Sequence, residues 1–198
     1  MMGTYYKFKS LEHPEYLFDI VIKKRMYMGR FDEMNDPMEG IFYTNDLLHT
    51  ELTNVKRTCR FCSLSKNYRH NLMWSHYANN HRGYCVKLSF NKEDYDIRKM
   101  CYSSQIPNYI QGVTDVKDIL VHKFKDWKYE REYRLFKDES EYICNLNIRE
   151  IIFGVNVSER EYTLYRELID SIDRNINVTK MEKDMFLPVS RTNVLFNV

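Results

Sequence analysis

Short stretches in which apolar and polar residues alternate recur along this chain at irregular intervals, and that irregularity constrains the fold more than any other feature. The pattern runs through Thr4-Tyr5-Tyr6-Lys7-Phe8, 25–28, 58–65, 82–90, near 97–102, 127–136, 147–153 and 177–181. Helices are expected between these strands over about 14–24, 41–55, 72–78, 115–126 and from Ser158 to about Arg174. Ser10, Asn71 and Ser158 are the candidate caps, and Pro14 stands near the first helix start. No βαβ unit repeats, so the order predicts an α+β fold rather than a doubly wound parallel sheet. At 198 residues without a linker or internal repeat, the chain is expected to form a single domain over 1–198.

The charge distribution adds a local asymmetry. Net charge is only +2, which argues against a protein built to coat nucleic acid. From Leu52 through Lys92, however, there is no Asp or Glu, while Lys56, Arg57, Arg60, Lys66, Arg69, Arg82, Lys87 and Lys92 lie in that segment. Such a stretch predicts a patch for an anionic ligand. Five Cys is an odd number in a chain whose start lacks signal-peptide character, so reduced thiols and a cytoplasmic, membrane-free location are expected. Cys59 and Cys62 have half of a zinc spacing, but alternation places them on opposite strand faces, so no metal site is expected there.

Alternation over 127–136 places Glu130 and Glu132 on one strand face, about 7 Å apart. Two carboxylates so placed either stabilise a sugar cation or pair across strands as a Lys-Glu-Glu-Arg ladder. Ser63 and Ser65 share a face of an earlier strand and can donate to ribose or phosphate. Arg69 and His76, near the start of a short helix, could hold a phosphate, and Trp74 and Tyr77 could stack on a base. A core role for Trp74 and a structural one for His76 remain open. In Asn35-Asp36-Pro37-Met38-Glu39-Gly40, Pro fixes the backbone and Gly permits positive φ, which predicts a rigid loop presenting Asn35 or Glu39. Asp36, Glu39, Glu130 and Glu132 around a divalent ion would be a third arrangement, suited to a nuclease. No P-loop, GxGxxG, HExxH or GxSxG string occurs.

Several strings together resemble the prokaryotic proteins grouped as domain of unknown function 2971. They are Tyr6-Lys7-Phe8, Asn35 to Gly40, Phe61-Cys-Ser-Leu-Ser65, Leu72-Met-Trp-Ser-His-Tyr-Ala78, His81-Arg-Gly-Tyr-Cys85, Trp127 to Arg134 and Ile151-Ile-Phe-Gly154. The order Lys7, then Ser63-Leu64-Ser65, then Glu130-Arg131-Glu132 is also similar to that of ADP-ribosyltransferases. This second resemblance implies a mixed, mostly antiparallel split sheet with flanking helices and a cleft for NAD as substrate. Lys7 and the serines would then hold ribose and pyrophosphate, and Glu132, with Glu130 second, would stabilise the ribosyl cation. An ADP-ribosyltransferase or NAD glycohydrolase of this kind, acting on a nucleic-acid or protein acceptor, would suit a bacterial defence or toxin effector. A non-catalytic nucleotide- or RNA-sensing module would use the same residues. Lys7 departs from the family's His or Arg, and an ammonium offers no planar donor fork.

Overall fold

A computed structural model of the chain describes residues 2–91, 93–109, 115–137 and 140–186. The elements run β1 (Met2–Lys9), α1 (Pro14–Lys23), β2 (Met26–Tyr27), α2 (Asp46–Thr58), β3 (Phe61–Ser65), α3 (Asn71–Tyr77), β4 (Tyr84–Asn91), β5 (Asp96–Lys99) and β6 (Cys101–Ser103). They continue with α4 (Lys117–Leu120), β7 (His122–Phe124), β8 (Glu132–Phe136), β9 (Tyr142–Ile143), β10 (Asn147–Phe153), α5 (Glu159–Ile172) and β11 (Asn177–Lys180). The result is α+β, with an open sheet ordered β11-β10-β4-β1-β3-β8-β5. Every neighbouring pair in that sheet is antiparallel except β10 and β11, which α5 connects. Two further pairs, β2 with β9 and β6 with β7, lie outside it.

One junction in this sheet is weak. Strand β1 pairs with β4 over its whole length and β3 pairs with β8 over its whole length, but β1 meets β3 at a single register position, Tyr6 opposite Ser65. The two halves of the sheet therefore part beyond that point. The gap becomes the cleft described below.

Alternation explains how both faces are covered. On β4, Tyr84, Val86 and Leu88 are fully buried and pack with Leu17, Ile20 and Val21 of α1 and Ile169 of α5. Cys85 points the other way and packs with Phe8, Ile152, Met73 and Trp74 of α3, and Ala78 just beyond it. A third apolar group gathers Leu52 of α2, Ile119 and Leu120 of α4, Phe61 and Phe136. Gly154, expected to end β10, does so because the backbone of the 79–81 turn lies against it. A Cβ there would sit 2.2 Å from the His81 carbonyl oxygen.

Ser158 caps α5 through a capping box, accepting from Glu161 N at 3.2 Å while Glu161 Oε2 accepts from Ser158 N at 3.0 Å. Replacing Ser158 with Ala should cost about 1 kcal/mol. A urea melt that shows no loss would remove this cap from the fold's stability.

Several expectations are corrected. The strand expected over 127–136 is a 3-10 helix, Lys125–Glu130, followed by β8, because Arg131 adopts φ 47 and breaks the extended run. The helix over 115–126 shortens to α4, and its end forms β7. The strand expected at 58–65 starts only at Phe61, since α2 runs on to Thr58, and the strand near 97–102 is two strands. Ser10 does not cap α1; its hydroxyl donates to Glu12. No helix among the described residues is long and apolar enough to cross a membrane.

Candidate functional site

The acid-free segment does not assemble one cationic patch for an anionic ligand, because folding scatters its cations. Lys56 is buried and donates to the Gly40 carbonyl at 2.8 Å. Arg60 pairs with Glu141 at 3.2 Å, and Lys87 with Glu150 at 3.1 Å. Lys66 lies 3.4 Å from the centroid of the Tyr5 ring. Arg69 is exposed and donates to the Tyr68 hydroxyl, and Lys92 lies outside the described residues.

A cavity of about 410 Å³ opens instead where β1 and β3 part, and Lys7, Ser63, Ser65, His76, Tyr77, Glu130 and Glu132 all line it. These residues are distant in sequence. Lys7 spans the gap, donating to the Ser63 carbonyl at 2.9 Å. Two expected ligand contacts are absent from this wall. Trp74 is fully buried in the core, its Nε1 donating to the Tyr68 carbonyl at 2.6 Å, and Arg69 points elsewhere.

The floor of the cleft is a buried charge cluster. Lys123, from β7, donates to Glu130 Oε2 at 2.7 Å and to Glu132 Oε2 at 3.3 Å, with Glu39 Oε2 at 4.0 Å. Arg134 is fully buried; its Nε donates to Glu132 Oε1 at 3.0 Å and an Nη lies 2.6 Å from Glu39 Oε1. That second contact lies off the hydrogen-bond direction, so it acts as a charge contact. Arg134 also donates to the Leu120 carbonyl and rests over the Phe61 ring. Glu39 arrives on the rigid loop expected from the sequence. Asp36 accepts from Met38 N at 2.9 Å, Glu39 N donates to the Asp36 carbonyl at 3.0 Å, and Gly40 turns out at φ 66.

The carboxyls differ in their environments. Burial pushes both Glu39 and Glu130 above the usual carboxylate range, against the pull of the nearby cations. Burial also acts on Glu132, but Arg134 and Lys123 outweigh it, with help from the Ser63 hydroxyl, and hold it well below that range. Tyr77 donates its hydroxyl to Glu130, and burial raises that phenol far above its ordinary value. Asn35 donates in turn to the Tyr77 hydroxyl at 3.4 Å.

Ser65 lines the cleft, and its hydroxyl donates to the Glu130 carbonyl at 2.6 Å, which ties β3 to the turn that carries both glutamates. The divalent-ion arrangement also fails physically, because the Lys123 ammonium sits among the carboxylates. Among the described residues no group of His, Cys, Asp and Glu could hold a metal ion.

Three residues of the site were missed from sequence: Lys123, Arg134 as a buried anchor, and Lys9. Arg134 did carry a signal, since alternation placed it on the face of Glu132. Lys123 and Lys9 carried none, because their partners are remote in sequence. No family model, curated protein or solved structure matches this chain.

Proposed function

We propose that the cleft binds a nucleotide, NAD in the first instance, and cleaves its nicotinamide-ribosyl bond as an ADP-ribosyltransferase or NAD glycohydrolase, on a fold of the ADP-ribosyltransferase kind. One observation carries this reading. In the cluster three carboxylates face two cations, leaving one negative charge in excess when all are ionised, in a cleft that Lys7 and Lys9 also line.

Such a polarity suits a ligand with an anionic end and a reacting centre that turns cationic. As the nicotinamide leaves with the bonding electron pair, the ribosyl carbon acquires positive charge, and fixed negative charge nearby is more favourable in that transition state than in the ground state. Glu132, held ionised, supplies the fixed charge. Glu130, with raised proton affinity, takes the proton from the incoming hydroxyl or water.

A second reading has its own observation. Glu132 is tied to both Arg134 and Lys123, so much of its charge is already matched, as suits a nucleotide- or RNA-sensing module without turnover. Incubation with NAD separates the two. Nicotinamide release by the wild type that is lost in a folded Glu132→Gln variant supports catalysis. Equal release from both, above a protein-free blank, would remove Glu132 from its role. NAD binding without release from either would favour sensing.

A further inference from the structure

The same strand that supplies Lys7 supplies Lys9 two residues later, on the same face by alternation, and both residues line the cleft. Their surroundings differ from those of the other cleft lysine. Lys123 is locked between Glu130 and Glu132, and Lys7 donates to the Ser63 carbonyl. Lys9 has neither a carboxylate within ion-pair distance nor a hydrogen-bond acceptor among the described residues. Its Nζ sits 5.1 Å from the centroid of the Tyr16 ring on α1.

We infer that Lys9 is an amine nucleophile that condenses with small anionic aldehydes or ketones admitted to this cleft, with Lys7 holding the anionic end. The inference uses the cleft but does not depend on NAD being its ligand. A half-buried lysine beside a second cation loses the stabilisation of its charged form, which is the general way a lysine is activated for Schiff-base chemistry.

The groups facing Lys9 bear this out in sign. Burial and the neighbouring Lys7 lower its pKa, the Cys62 thiol of β3 opposes them weakly, and the result is about 8 instead of 10.5. Tyr16, over which the amine rests, adds an aromatic face and no fixed charge.

The step balances without a redox partner. The neutral amine adds to the carbonyl carbon, forming a C–N bond. The nitrogen gives up its two protons to the oxygen, which departs as water, leaving a C=N bond in place of C=O.

Pyridoxal 5′-phosphate, an aldehyde carrying a phosphate, is the probe, with borohydride reduction to trap the imine and peptide mass spectrometry to locate it. The expected result at pH 7.5 is one dominant adduct on Lys9, formed on the order of tenfold faster than on exposed lysines. Its rate should rise through a midpoint near 8. Lys9→Arg should lose that adduct while retaining the wild-type melting temperature. Lys7→Met should move the midpoint upward and slow labelling at neutral pH, a response that a merely accessible lysine would not give. Adducts spread over the surface lysines, or a Lys9 midpoint above 10, would overturn the proposal. If NAD proves not to be a substrate, these outcomes stand unchanged.

Discussion

Replacing Arg134 with Met should lower the stability of the fold by about 3–5 kcal/mol, because it leaves two buried carboxylates, Glu39 and Glu132, facing each other with only Lys123 to share. The side chain is fully buried, so water cannot take over the role of the guanidinium. Size does not explain the loss, since Met fills much of the same volume and keeps apolar contact with Phe61. The expected result is a large fall in the urea midpoint with little change in its slope. Adding Glu39→Leu and Glu132→Leu to the same protein should recover much of the loss, since a buried ion network replaced as a whole by apolar groups is close to neutral. A single Arg134→Met variant within about 1 kcal/mol of wild type would show that the cluster is well hydrated and weakly coupled.

The second large effect concerns Glu130. If NAD is cleaved as proposed, Glu130→Gln should reduce the transferase or hydrolase rate by about 10²-fold or more, the usual scale for a lost acid–base group. It should also erase the acid limb of the pH profile. The direction of the linked stability change follows from the proton affinities. Glu130 binds its proton more tightly in the folded chain than the ordinary value of 4.5, so its contribution to stability is complete below that value and is lost as pH rises through the raised one. Glu132 behaves oppositely. Its contribution is complete above 4.5 and is lost as pH falls toward about 2. Glu130→Gln therefore removes only the first dependence, and the variant should gain stability relative to wild type as pH rises from 4.5 toward neutral. Loss of activity with an unaltered acid limb would mean that Glu130 supports the site by position alone.

The two glutamates also show why a correct residue choice can rest on incorrect geometry. Strand alternation put Glu130 and Glu132 on one face. The backbone brings them together differently, through a 3-10 turn and a left-handed Arg131, with Ser65 fixing the Glu130 carbonyl. Both routes put the two carboxyls close together, but only the folded backbone brings Lys123 between them. Only the second explains why the two carboxyls have opposite proton affinities.

What the sequence by itself determined is part of the local layer: strands β1, β4 and β10, the capped α5, the rigid 35–40 loop and the choice of Ser63, Ser65, Glu130 and Glu132 as cleft residues. Each follows from periodicity, caps or turn residues that act over a few positions. Charge was where local reading failed. The acid-free stretch suggested one patch, yet its cations fold onto remote partners, such as Arg60 onto Glu141 and Lys87 onto Glu150. Tertiary structure alone decided that β1 and β3 would part after Tyr6 and Ser65, opening a cleft between strands adjacent in the sheet. It alone decided that Lys123 would enter the carboxylates and that Lys9 would have none, because an ion pair depends on distance through space and carries no periodic trace along the chain.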